Sequence, residues 1–85
     1  PAEYLAEVMA RVAVEHLKTI QGARVNIAGN RAVHNDTEVK RLSDVEMSAR
    51  ISLSKIKRDC PAAFARVREL AQLEADKGRA EGVRG

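Results

Sequence analysis

LSDVEMSARISLSKIKRDCP, residues 42–61, is the stretch whose reading decides the fold. Ser43 is followed three residues later by Glu46, which is the spacing of a capping box. In that motif the hydroxyl accepts from the N3 backbone N–H, and the glutamate reaches back to the N-cap N–H. Asp44 places negative charge in the first turn, where the helix dipole favours it. From Leu42, the residues Val45, Ala49, Leu53, Ile56 and Cys60 recur at three- and four-residue steps, one apolar stripe on a helix. A strand reading competes. Val45, Met47, Ala49, Ile51 and Leu53 alternate without a break against Glu46, Ser48, Arg50, Ser52 and Ser54, the pattern of a half-buried strand. The abundance of Met, Ala, Leu, Glu and Arg weighs toward helix.

The helical reading has a variant. Ser52 and Ser54 both suit an N-cap. One helix would run from about Ser43 to Arg50, turn at Ile51–Leu53, and give way to a second helix that opens with Lys55, Lys57 and Arg58. Leu42, Val45, Ile51, Ser52, Ser54, Ile56 and Arg58 together resemble the core of helix-turn-helix DNA-binding proteins, especially small excisionase-like and phage regulatory ones. The match covers about a fifth of the chain. The turn position that glycine usually fills in that family is Arg50 here. The resemblance implies that Ile56 points into the core, that Ser52, Ser54, Lys55 and Arg58 face the DNA groove, and that Lys57 joins the basic run. The chain would then be a small DNA-binding protein, such as a phage or plasmid regulator or a packaging accessory. Lys55, Lys57, Arg58, Arg66 and Arg68 form the basic set from which phosphate contacts to duplex DNA would be drawn; the alternative is a solvated face balanced by Asp59 and Glu69.

Upstream, residues 2–21 read as a helix. Leu5, Val8, Met9, Val12, His16 and Ile20 lie on one side, and Glu7–Arg11 is a favourable pair one turn apart. Gly22 follows at the position where glycine commonly ends helices. Val14 and Leu17 widen the apolar face, so this helix is expected to bury more than one side. Residues 23–35 break the pattern and read as an irregular loop or as a hairpin near residues 24–34, with Gly29–Asn30 at its turn. Asn35 or Asp36 caps a short helix from about Thr37 to Arg41, with Glu38 three residues after Asn35 as a partial capping box. Pro61 ends what precedes it and suits the first position of a last helix, to about Lys77, closed by Gly78.

These elements predict one all-α domain over residues 1–78, of three to four short helices with a central helix-turn-helix-like unit, and a disordered tail at residues 79–85. An α+β arrangement, with the hairpin and a strand at residues 45–54, is the alternative. Tyr4 and Phe64 are the sole aromatic residues, so the core must be built from aliphatic side chains. A core that small is often completed by a partner chain. Leu5, Met9, Val12 and His16 are therefore the candidate interface of a homo-oligomer. His16 there is a packed histidine or a pH-sensitive contact.

Charge and motif content narrow the function. The net charge of +3 permits nucleic-acid binding without requiring it, and the positive excess follows the first helix. One cysteine excludes an internal disulfide and a cysteine-rich metal site, and points to a reducing cytoplasm. No apolar run approaches membrane-spanning length, and no charged-then-apolar leader is visible. His16, His34 and Cys60 share no ligand spacing, so no metal or cofactor is expected. No nucleophile–base arrangement or phosphate loop is readable, so no enzymatic activity is expected. The reading from another class is a non-catalytic helical subunit that binds a protein partner.

Overall fold

A computed structural model describes residues 2–84, with side-chain environments for residues 3–79. The described residues form three helices and no strand: α1 (Ala2–Ala32), α2 (Asp36–Asp59) and α3 (Pro61–Arg84). The all-α class holds and the α+β alternative does not. The three helices are within the expected number but are longer than their local punctuation suggests.

Gly22 does not end α1. Ile20, Ala23 and Ile27 carry the apolar stripe across it, and all three are buried. A mid-helix glycine costs about 1 kcal/mol. Burying Ile27 alone returns roughly 1.5–3 kcal/mol, so the helix runs on through the expected loop or hairpin. The chain instead turns at Val33–Asn35. His34 takes the left-handed conformation, with φ of 57°. The His34 N–H donates to the Arg31 carbonyl (3.1 Å) and the Asn35 N–H to that of Asn30 (2.9 Å), a Schellman closure with histidine in the usual glycine position. Asn35 also begins α2, its Oδ1 accepting from the Glu38 N–H at 3.2 Å. This joint makes two opposite predictions for urea unfolding. His34→Gly should raise stability by about 1 kcal/mol, because a side chain at positive φ is strained. Asn35→Ala should lower it by about 1 kcal/mol through loss of the cap.

α2 absorbs the short helix expected at residues 37–41, and Ser43 lies inside it, with no cap to make. The turn expected at Ile51–Leu53 is helical, so the central helix-turn-helix unit does not form. The cause is a continuous seam. Leu42, Ala49 and Ile56 on α2 are buried at seven-residue intervals, as are Ala13, Ile20 and Ile27 on α1. Arg24 pairs with Glu46 (2.6 Å), and Ala13 and Ile56 share one core cluster. That antiparallel register sets Ile27 opposite Leu42 and Ile20 opposite Ala49. A turn at Ile51 would carry Ile56 off the seam.

Pro61 does break the chain. Cys60 is pushed out of the helical region (φ −141°, ψ 70°), as expected before proline. Its N–H donates to the Ile56 carbonyl (2.7 Å), and its own carbonyl accepts from Ala63 (3.0 Å). The half-buried thiol packs beside the core as a small apolar group. α3 passes through Gly78, and residues 79–84 of the expected tail are helical; Gly85 lies outside the described residues.

α1 lies between the other two helices, and α2 and α3 barely touch. α3 runs parallel to α1: Arg66 pairs with Glu7 (2.6 Å) and Lys18 with Glu74 (3.1 Å). The result is a slab of 48 × 39 × 12 Å. Its radius of gyration is 15.7 Å, against about 12 Å for a compact chain of this length. The core cluster is Ala10, Ala13, Ile56, Ala63 and Val67. The side chains at zero exposure are alanines, so the helices approach closely but enclose little apolar volume.

Candidate functional site

The elbow where α2 meets α3 carries the basic run, and the helix distributes it in several directions. Ser52 is half-buried and lines a groove between α1 and α2 with His16, Thr19 and Ser48. Ser54 and Arg58, one turn apart, are exposed. Arg58 Nε donates to Asp59 Oδ1 at 2.8 Å. That contact raises the Arg58 pKa and holds the Asp59 carboxyl below its ordinary value. Lys57 lines a separate groove with Leu17, Phe64, Val67 and Arg68. The five residues expected to meet DNA therefore do not share one surface. Lys57 and Arg68 do, beside the half-buried ring of Phe64. Neither has a carboxylate within ion-pair distance among the described residues. Arg66, assigned to the basic set by its position, is spent on fastening α3 to α1.

The expected interface on α1 also divides. Leu5 and Val12 point outward, 55% and 38% exposed. Met9 packs on the core, and His16 is half-buried in the α1–α2 groove. Val8 joins the outward pair at 38% exposed. Elsewhere, Met47 and Ile51 lie exposed one turn apart on α2, and Leu73 on α3. Met47 and Ile51 belonged to the alternating pattern, and their separation from the Leu42–Ala49–Ile56 series marks them as outward-facing on a helix.

No family model, curated protein or solved structure matches the chain. What the surface can do chemically follows from its groups. No three His, Cys, Asp or Glu side chains converge as metal ligands among the described residues. No described helix is long and apolar enough to cross a membrane. The grooves are shallow and open, lined mostly by apolar, hydroxyl and long charged side chains.

The tie between α1 and α3 adds a pH dependence. Glu7 accepts from Arg66 (2.6 Å) and Arg11 (3.1 Å). Its carboxyl is held below the ordinary range, by Arg66 foremost. The Arg66 pKa is raised in return, chiefly by Glu7 and then Glu69. A depressed carboxyl pKa in the folded state stabilises above the unfolded pKa, and that contribution fades as pH falls through the folded value. The melting temperature should therefore drop between about pH 5 and pH 3. Arg66→Met should flatten that drop, as read by circular dichroism in buffers of equal ionic strength. An unchanged slope would show that the Glu7–Arg66 pair does not couple to folding.

Proposed function

We propose that this protein is a non-catalytic helical subunit that works by associating with protein through the open surface of its helix slab. One observation carries the reading. The chain exposes 6424 Å², whereas a compact monomer of its mass exposes roughly 5,000 Å². The excess is about 1,400 Å² over a compact domain, and Leu5, Val8, Met47, Ile51 and Leu73 are exposed large apolar side chains on the surface. Exposed apolar surface of this kind marks interaction sites. The test is dilution of the pure chain in the presence of a dye that fluoresces on apolar surface. The expected result is strong dye binding and a low unfolding midpoint in the dilute chain, both relieved on association. A dilute monomer that is dye-silent and unfolds at a high midpoint would overturn the reading.

A second reading, contact with duplex DNA, is favoured by Lys57 and Arg68 beside Phe64. Two unpaired cations next to an apolar ring suit a phosphate backbone better than base edges. Anisotropy titration of labelled duplex should show binding that weakens with salt, and Lys57→Ala with Arg68→Ala should reduce the salt slope by about 2. No binding at low salt removes this reading.

A further inference from the structure

Three exposed apolar residues of α1, Leu5, Val8 and Val12, open one line along the helix, whereas Tyr4, Leu17 and Val25 are exposed off it. Leu5, Val8, Val12, Thr19, Gly22 and Gly29 are all exposed and fall on alternating three- and four-residue spacing or multiples of it. Glu15 and Asn26 fill the gaps in the same series, and they too are exposed. Such spacing is the seam pattern of paired helices. This seam is distinct from the buried one, Ala13–Ile20–Ile27, which α2 already occupies. α1 thus carries this open seam besides the two faces that α2 and α3 cover.

We propose that the open seam is occupied by the same seam of a second copy of this chain, the two α1 helices crossing about a two-fold axis near Thr19. The proposal rests on the docking function above and names its partner. Three observations select a second copy. The first is area. An ordinary stable interface covers about 800 Å² on each partner, and the slab's broad face, 48 by 39 Å, is large enough to supply it.

The second is charge. The seam is flanked on its α2 side by both signs, Asp44 and Lys55. Asp44 lines the α1–α2 groove on the seam's side with Thr19 and Ser48. Lys55 follows Ser48 by seven residues and so lies on the same side of α2. Neither Asp44 nor Lys55 has an ion-pair partner among the described residues. In a two-fold interface, if residue i meets residue j, then j meets i. The midpoint of Asp44 and Lys55 lies beside Ala49, which the buried register sets opposite Ile20. An axis there brings each Asp44 to the other copy's Lys55. A partner carrying one sign of charge would leave half of these groups opposed.

The third is shape. The same axis lays the valine-bearing half of one α1, Val8 and Val12, over the glycine-bearing half of the other. A Cβ added at Gly22 or Gly29 would meet nothing within 4 Å in this chain. Within one chain neither glycine makes room for anything, although each weakens the helix. Opposite a second copy Gly29 does, since an axis at Thr19 sets it beside that copy's Val8.

Sedimentation equilibrium of the full chain tests this, with helix content followed by circular dichroism. The wild type should sediment as a dimer. Val8→Glu and Val12→Glu should sediment as monomers with helix content unchanged, since both sites are exposed within one chain. Gly29→Leu should also be monomeric and at least as helical as wild type. Thr19→Cys in a Cys60→Ala background should oxidise to a covalent dimer, and Met47→Glu on the outer edge should leave the dimer intact. A wild-type monomer at millimolar concentration overturns the proposal. So does a dimer that survives Val8→Glu and Val12→Glu and fails to cross-link through Thr19→Cys. The docking function fails separately: a monomer that binds the apolar dye keeps that function and excludes the second copy, whereas a dye-silent stable monomer excludes both.

Discussion

Ile56→Ala is expected to lower the unfolding free energy by about 3 kcal/mol, within the range of roughly 2–5 for truncation of a buried isoleucine. Ile56 is 6% exposed and is the largest side chain of the central cluster, whose other members are alanines and Val67. The zero-exposure alanines around it have no rotamers with which to refill the space, so the cavity term stays high. A domain of this size has on the order of 4–13 kcal/mol in total. The variant should therefore unfold at markedly lower urea with little change in slope. A loss below about 1 kcal/mol would mean that α2 does not seat Ile56 between Ala10, Ala13 and Ala63.

Ile51→Pro is expected to be comparably severe, at about 3 kcal/mol or more. Ile51 is 51% exposed, so the substitution sacrifices little packing and probes the backbone. Proline there removes the N–H that bonds one turn back and clashes with that carbonyl. It would also uncouple Ile56 from the seam that starts at Leu42. A helix–turn–helix with its turn at Ile51–Leu53 would accept the same proline at small cost. Far-UV circular dichroism with urea unfolding separates the two backbones. Retained helix and near-wild-type stability would reinstate the turn.

The helical class and the break at Pro61 were legible because both rest on local chemistry: good helix formers, and a proline that restricts its predecessor. The Asn35 cap was legible for the same reason. The lengths of α1 and α2 were not read correctly, and Gly22 shows why. A glycine reads as a stop when judged locally, yet Ile20, Ala23 and Ile27 continue the stripe across it. The seven-residue match between Ala13–Ile20–Ile27 and Leu42–Ala49–Ile56 was present in the sequence as the stronger, non-local signal. The turn at residues 33–35 was hidden because histidine, not glycine, adopts the left-handed conformation. For the candidate sites, residue type was visible and direction was not. Met9 and His16 share a stripe with Leu5 and Val12, but Met9 packs on the core cluster and His16 lies in the α1–α2 groove, while the others stay open. Arg66 reads as one more surface cation until α3 folds back to Glu7.

The meagre attachment of α3 has a consequence for the order in which the molecule opens. From Ala71 to Arg79 every side chain is exposed. Among the described residues, Lys18–Glu74 is the one ion pair of this half that reaches α1. Amide hydrogen exchange should divide the chain accordingly. Protons in this half of α3 should exchange first and through small openings, those near Val67 next, and those along the α1–α2 seam last, in the global event. Release of α3 strips cover from Ala10, Ala13 and Ile56 while the α1–α2 hairpin still stands. The first sub-global opening is thus a detachment at the elbow, with Cys60 as its pivot, and it briefly turns a three-helix slab into a two-helix hairpin.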